Sequence, residues 1–156
     1  MTYRTEDLRI ASIQEVISPA DLHREIPLSE QGAETVHGAR HAIQRILRGQ
    51  DDRLLLIVGP CSIHDPEAAL DYARRLREKA AGFADDLLVV MRVYFEKPRT
   101  TVGWKGLIND PGLDESFRIN DGLRIARGLL RDLAETGMPA ATEFLELVVP
   151  QYIDDL

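Results

Sequence analysis

The sequence predicts a parallel α/β fold, because of the order and composition of its apolar segments. Two continuous apolar runs, Leu54–Gly59 and Leu87–Tyr94, are typical of strands buried on both faces of a parallel sheet. A third, shorter run covers Ala140–Phe144. Segments with helical spacing alternate with these runs, which implies right-handed crossovers. Two arrangements fit this alternation: an open doubly wound sheet, or part of a (β/α)8 barrel.

The residues before the first strand predict an extension followed by one regular helix. Residues 1–33 have a weak apolar rhythm that Pro19 and Pro27 interrupt, so we expect an extension with one short helix. Apolar side chains then recur at helical spacing over Glu34–Arg48, and Gly49 suits the end of that helix.

Three further helices are predicted after the strands. Asp65 and Pro66 are typical of a helix start, and that helix is expected to end near Gly82. Residues Phe117–Thr136 have apolar side chains in helical phase, and Pro150 begins a last helix. Three strands cannot close a barrel, and a complete barrel takes about 250 residues. We therefore expect this chain to be the front part of a longer domain.

Charge and cysteine content restrict the class of protein. The 156 residues include 19 Lys and Arg against 26 Asp and Glu, a net charge of −7, which argues against a general binder of nucleic acid or anionic membranes. Cys61 is the single cysteine, which excludes an internal disulfide and favours a reducing compartment. Neither a membrane-length apolar run nor an apolar N-terminal stretch typical of a secretory signal is present. We therefore expect a cytoplasmic protein with neither nucleic acid nor membrane among its partners.

Chemically active side chains follow the ends of the predicted strands, where ligands gather in both arrangements. Cys61 follows the first strand, Arg92 lies within the second and Lys97 follows it, and Glu143 belongs to the third. The local pattern leaves two roles open for Cys61, a half-buried hydrophobe or a ligand or nucleophile. Two roles are also open for Glu143, which either holds a lysine or arginine in place or handles a proton.

The basic segment at the end of the second strand predicts an anion site. Arg92 is a charge inside an apolar strand, so we expect it to have an anionic partner. Lys97 and Arg99 flank Pro98, which stiffens the turn, and Thr100 adds a hydroxyl donor. No glycine-rich phosphate loop is present, so nucleotide binding is disfavoured.

Four stretches carry a resemblance to a known family. They are Val58–Asp65, Met91–Thr100, Gly103–Pro111 and Glu143–Leu145. The chain resembles the type I 3-deoxy-D-arabino-heptulosonate 7-phosphate (DAHP) synthases, and the similarity runs from about the first residues to Leu156. A related synthase that makes an eight-carbon sugar acid phosphate carries an Ala-Asn pair where this chain has Pro98, which favours the DAHP enzyme.

The resemblance implies a fold and an activity. The fold is an incomplete (β/α)8 TIM barrel whose first three β/α units are residues 51–156. An N-terminal extension, residues 1–50, precedes it and has a subunit-interface or regulatory role. The activity is that of 3-deoxy-7-phosphoheptulonate synthase, a transferase that condenses phosphoenolpyruvate with erythrose 4-phosphate to DAHP and phosphate. This is the first step of the shikimate pathway to chorismate and the aromatic amino acids.

The resemblance also implies residue roles. Cys61 resembles a ligand of a divalent metal ion of the Mn, Fe, Co or Zn type, and the remaining ligands are absent from this chain. Arg92 and Lys97 resemble contacts to phosphoenolpyruvate. Lys97 and Glu143 resemble catalytic residues, the first near the aldehyde and the second near the phosphoenolpyruvate. The positions that resemble the erythrose 4-phosphate site are Lys97, Pro98, Arg99 and Thr100.

Regulation and assembly follow from the same resemblance. In many members an aromatic amino acid inhibits the enzyme at a site between subunits, which implies a homo-oligomer with such an effector. The matching positions are Asp7, Glu146, Leu147, Pro150 and Gln151. Glu146 stands where the family carries an aspartate.

Two alternatives stay open beside the synthase. Because most of the metal ligands would come from later strands, we expect residues 1–156 to be inactive alone. One alternative is a non-catalytic fragment that acts at most by subunit association. The other is a different phosphosugar-binding α/β protein.

Overall fold

The sheet of this protein is small and entirely parallel. The computed structural model describes residues 5–6, 8–10, 12–98 and 102–156. Its strands are β1 (Leu54–Val58), β2 (Leu87–Arg92) and β3 (Ala140–Ala141), in the spatial order β1-β2-β3. Leu54 lies opposite Leu87 on β2, and Met91 lies opposite Ala140 on β3. The predicted α/β class with parallel strands is confirmed.

Five α-helices surround or precede the sheet. They are α1 (Pro19–Glu25), α2 (Glu30–Leu47), α3 (Pro66–Ala80), α4 (Ile119–Glu135) and α5 (Pro150–Ile153). The side chains of Ser18, Ser29 and Asp65 accept hydrogen bonds from the first turns of α1, α2 and α3. The short helix expected in the extension is confirmed as α1. The helix predicted from Glu34 begins four residues earlier, because Ser29 supplies the cap.

Two predicted strands are longer than the observed ones. β2 ends at Arg92 rather than Tyr94, and β3 has two residues rather than reaching Phe144. One more ladder bond, from the Val93 N–H to the Ala141 carbonyl at 2.8 Å, follows the last pair. Beyond it the two chains separate, so Glu143 lies in the loop after β3 instead of ending a strand.

The core centres on α4, which packs against α2, α3, α5 and β3. Leu123, Ala126 and Leu133 of this helix are almost completely buried. Arg127 is buried with them and binds Asp155 through two nitrogen–oxygen contacts of 2.6 and 2.8 Å. Its Nε also donates to the carbonyl of Ile26 at the end of α1. This arginine therefore joins three separate parts of the chain.

The prediction that Leu54–Gly59 is buried on both faces is wrong for the chain described here. Leu54 and Ile57 are 66% and 52% exposed. β1 lies at the edge of the sheet, and within the described residues no further strand pairs with its free side. Within the described residues, β1 is therefore an apolar edge strand whose side chains are in part exposed.

Candidate active site

The loop after β1 and the end of β2 are held close together. A Cβ added to Gly59 would lie 2.4 Å from the Arg92 carbonyl oxygen, so only glycine fits this approach. Two residues after Arg92, the carbonyl of Tyr94 accepts a hydrogen bond from the N–H of Ile63 at 2.8 Å. Cys61 lies between these two attachment points and is thus brought beside the basic residues of β2.

Cys61 and Lys97 form a direct pair. The Lys97 Nζ donates to the Cys61 Sγ at 3.0 Å and lies 3.4 Å from the Cys61 carbonyl oxygen. This hydrogen bond and the charge of Lys97, with a smaller contribution from Arg92, lower the pKa of the Cys61 thiol. The cysteine is exposed rather than half-buried. An exposed thiol with thiolate character is suited to bind a metal or an electrophile.

Arg92 forms no ion pair with a carboxylate among the described residues, so its expected anionic partner stays a prediction. The guanidinium instead lies over the ring of Tyr94, with its Cζ 3.9 Å from the ring centroid. The group is half-buried and its charge is not neutralised by the described part of the chain.

The rest of the basic segment is described only in part. The Lys97 N–H donates to the Lys105 carbonyl at 3.0 Å, and Glu96 forms an antiparallel bridge with Gly106. These bonds fix the backbone from which Lys97 projects. Pro98 follows and is exposed. Arg99 and Thr100, predicted to bind a phosphate, lie outside the described residues.

Glu96 is a buried carboxyl group that the sequence analysis did not single out. It is 6% exposed, and its Oε2 has no hydrogen-bond partner in the described structure. Burial raises the pKa of Glu96, and the nearby Glu146 and Glu143 raise it further. The sequence feature that could have indicated a role for Glu96 is its position between the apolar Phe95 and the catalytic candidate Lys97.

Glu143 is half-buried in the loop after β3 and faces Glu96. Among the residues described, no lysine or arginine forms an ion pair with it. The purely structural role, in which Glu143 holds a cation in place, therefore finds no support in the described contacts. Its role in proton handling stays a prediction.

Four of the predicted effector residues lie at the start of α5: Glu146 and Leu147 precede this helix, and Pro150 and Gln151 begin it. The Glu146 carboxylate accepts hydrogen bonds from two backbone N–H groups, that of Val148 at 2.6 Å and that of Val149. Pro150 begins α5, and the Gln151 side chain donates to the Leu147 carbonyl at 3.3 Å. Leu147 is 89% exposed, and Asp7 lies outside the described residues.

The N-terminal extension lies beside this segment. The Tyr152 hydroxyl of α5 donates to the Ile17 carbonyl at 2.7 Å. The Ile17 N–H donates to the Asn120 Oδ1 at 2.9 Å, and the Asn120 amide donates to the Glu15 carbonyl at 3.0 Å. Residues 15–17 are thus attached to both α4 and α5. The structure brings the extension and the segment after β3 together, as an effector site built from both would require.

The described donors do not complete a metal site. Across the described ranges no group of three or more His, Cys, Asp and Glu converges. Cys61 alone is one donor, whereas a catalytic zinc site uses three protein ligands.

Within the same residues no helix is long and apolar enough to cross a membrane.

Comparisons with known proteins show the family of this chain. The model of the DAHP synthetase I family matches residues 25–156. This chain belongs to the DAHP synthetase I family. The Phe-sensitive phospho-2-dehydro-3-deoxyheptonate aldolase of Escherichia coli (strain K12) is 59% identical over all 156 residues, which are 45% of that protein. The phospho-2-dehydro-3-deoxyheptonate aldolase of Amycolatopsis methanolica is 55% identical over 150 residues, 96% of this chain and 74% of that protein.

A solved structure gives the same answer for the fold. The phospho-2-dehydro-3-deoxyheptonate aldolase of Francisella tularensis SCHU S4 superposes with a TM-score of 0.91 at 53% identity, over 94% of this chain and 43% of the other. The chain thus spans about half the length of several family members that it matches.

Proposed function

We propose that this chain supplies the first part of the active site of a 3-deoxy-7-phosphoheptulonate synthase. The observation that carries the proposal is the convergence of Cys61, Arg92 and Lys97 at the carboxyl ends of β1 and β2. It occurs in a chain that is 59% identical, over its whole length, to the E. coli aldolase. The reaction is the condensation of phosphoenolpyruvate with erythrose 4-phosphate, which forms DAHP and releases phosphate.

The cations are proposed to bind the two anionic substrates. Arg92 and Lys97 bind phosphoenolpyruvate, since neither has a carboxylate partner among the described residues. The Lys97 ammonium is also proposed to donate a hydrogen bond to the aldehyde oxygen. Pro98, Arg99 and Thr100 bind the erythrose phosphate, and Glu143 handles a proton near the phosphoenolpyruvate. Holding both substrates in one orientation removes much of the entropic cost of the condensation.

The Cys61 thiol is proposed as one ligand of a divalent metal ion. Its lowered pKa fits this role, because the thiolate is the form that binds metals. Such an ion, when bound, polarises a carbonyl oxygen. The other ligands are proposed to come from residues that are not among these 156, so residues 1–156 are proposed to be inactive alone.

The sheet is proposed to be the first part of a (β/α)8 barrel, residues 51–156, with residues 1–50 as an extension at a subunit interface. The exposed side chains of Leu54 and Ile57 support a further strand beside β1. In the complete protein, a homo-oligomer in the cytoplasm, we propose that an aromatic amino acid binds near Glu146 and Gln151. Relatives named Phe-sensitive and Trp-sensitive support an effector of this class.

The decisive experiment uses the full-length gene product. Phosphoenolpyruvate consumption is expected to require both erythrose 4-phosphate and a divalent metal. Lys97→Met is expected to abolish it, while Lys79→Met on the exposed face of α3 leaves it unchanged. A folded, metal-loaded, full-length protein without this activity would refute the synthase and favour a different phosphosugar-binding protein.

A further inference from the structure

Arg92 and Tyr94 lie two residues apart at the end of β2, and their side chains contact each other. Residues at this spacing share one face of an extended chain. The guanidinium carbon of Arg92 is 3.9 Å from the centroid of the Tyr94 ring, well inside the distance of a cation–π contact. No carboxylate among the described residues competes for this arginine.

This contact fixes the guanidinium without using its hydrogen-bond donors. A guanidinium is a flat fork whose five N–H groups lie in its plane, and the carbon at its centre lies over the face of the Tyr94 ring. A carboxylate in the same place would take two of the donors. Tyr94 therefore holds Arg92 still and leaves the donors of Arg92 available.

The Arg92 guanidinium lies close to the candidate active site. Arg92 contributes, by hydrogen bonding and charge, to the low pKa of the Cys61 thiol, which also contacts Lys97. The three groups thus share one space at the strand ends. An anionic group that enters this space meets two cations.

Tyr94 is itself held rigidly. Its carbonyl accepts the Ile63 N–H at 2.8 Å, and its neighbours Val93 and Phe95 are 0% and 1% exposed. The ring therefore projects from a fixed backbone. A side chain on such a support can orient a flexible arginine without itself touching the substrate.

We propose that Tyr94 is a positioning residue, which holds the Arg92 guanidinium face-on so that its N–H fork meets an anionic group of the substrate beside Cys61 and Lys97. The inference rests on the proposed function in taking phosphoenolpyruvate as that substrate. Tyr94 acts through Arg92, so the ring matters and the phenolic hydroxyl does not.

The test compares Tyr94→Leu with Tyr94→Phe in the full-length gene product. Phosphoenolpyruvate affinity is measured by titration calorimetry without erythrose 4-phosphate, and KM and kcat are measured separately. Tyr94→Leu is expected to weaken phosphoenolpyruvate binding by about 3- to 10-fold and to raise KM more than it lowers kcat. Tyr94→Phe, which keeps the ring, is expected to stay within about twofold of the wild type. Wild-type affinity in Tyr94→Leu would overturn the inference.

A double-mutant cycle separates positioning from a general structural effect. In an Arg92→Ala background, Tyr94→Leu is expected to cause no further loss of affinity. An equal loss with and without Arg92 would show that the ring acts elsewhere, and the inference would fail. If Tyr94→Leu does not melt cooperatively, Tyr94→Met replaces it as a flexible apolar side chain without a ring.

The same cycle distinguishes this inference from the proposed function. If the wild-type protein binds phosphoenolpyruvate but makes no DAHP, the proposed synthase activity is refuted. The double-mutant cycle on phosphoenolpyruvate affinity can still be measured. If phosphoenolpyruvate does not bind, the cycle is read with inorganic phosphate as the probe. Additive effects of the two substitutions, or no binding of either anion to the wild type, would then overturn the inference.

Discussion

The apolar side chains of α4 and β1 differ in what covers them. On α4, Leu123 and Leu133 are 2% and 0% exposed, because α2, α3 and α5 pack around the helix. On β1, Leu54 and Ile57 are 66% and 52% exposed, although every residue of this strand is apolar. The helical side completes its packing within the described residues, whereas the outer edge of the sheet does not. The site lies at the carboxyl end of this less complete side.

The largest expected effect comes from truncating one leucine in α4 and one in β1 and comparing the free energies of unfolding. Leu133→Ala is expected to lower the free energy of unfolding by about 2–5 kcal/mol, since it leaves a cavity in a packed core. Leu54→Ala in the same 156-residue chain is expected to change it by no more than about 0.5 kcal/mol. Urea unfolding monitored by circular dichroism measures both values.

The Leu54 result also tests the proposed barrel. In the full-length protein a further strand would cover β1, so Leu54→Ala is expected to cost about 2 kcal/mol or more. An equally small effect in both proteins would contradict the barrel and leave the exposed edge unexplained.

The buried arginine of the helical side is expected to make stability depend on pH. Although burial opposes ionisation, the hydrogen bonds and charge of Arg127 hold the pKa of Asp155 below its ordinary value, and His23 also faces this carboxylate. Its stabilisation is therefore complete above about pH 4 and is lost as the pH falls through the lowered value. Asp155→Ala is expected to cost about 3 kcal/mol at pH 7 because it leaves Arg127 buried and unpaired.

Unfolding midpoints of the wild type and Asp155→Ala across the acid range measure this effect. The difference between the two proteins should shrink as the pH falls. Asp71→Ala is a suitable control, since its partners Arg74 and Arg75 are exposed. A difference that stays constant with pH would mean that Arg127 is stabilised by its carbonyl contacts instead.

Two glycines test the close approach on the site side. Gly59→Ala would bring a methyl group against the Arg92 backbone, so it is expected to lower the free energy of unfolding by about 1–3 kcal/mol and to separate Cys61 from Lys97. Gly38→Ala on the exposed face of α2 meets nothing within 4 Å and is expected to stabilise the helix by about 0.5–1 kcal/mol. Chemical denaturation compares the pair, and equal effects would show that the approach of Gly59 is loose.

The smallest expected effect concerns the thiol. Removing the ammonium in Lys97→Met is expected to raise the pKa of Cys61 and to slow its alkylation by iodoacetamide at neutral pH by several-fold. Lys79→Met on α3 is the matched control. Because Cys61 is the single cysteine, mass spectrometry reads the reaction directly. An unchanged rate would show that Lys97 does not contact the thiol in solution.

The sequence predicted the elements of the fold better than their ends. Alternating apolar runs and amphipathic segments were enough for parallel strands and helices, because both depend on local periodicity. The end of β3 was predicted wrongly, since Phe144 is apolar but pairs with no strand among the described residues. The start of α2 was missed because Ser29 caps it through a side-chain bond that apolar periodicity does not reveal.

For the site, the predictable and unpredictable parts separate in the same way. The order of the strands was sufficient to expect Cys61, Arg92 and Lys97 at one edge, because parallel strands share their carboxyl ends. The contact of Arg92 with the face of Tyr94 was not predictable from the sequence, and the anionic partner expected for Arg92 stays a prediction. Glu96 was likewise missed, because its burial depends on the loops around residues 106 and 145.

By itself, the sequence determined the strand and helix segments, the basic segment after β2 and the membership of the family, because these depend on residue type, spacing and order. The tertiary structure alone decided which apolar residues are covered, that Lys97 lowers the pKa of Cys61, and that Tyr94 rather than a carboxylate holds Arg92. Burial, pKa and side-chain contacts depend on groups brought together from distant parts of the chain, and local sequence does not encode those distances.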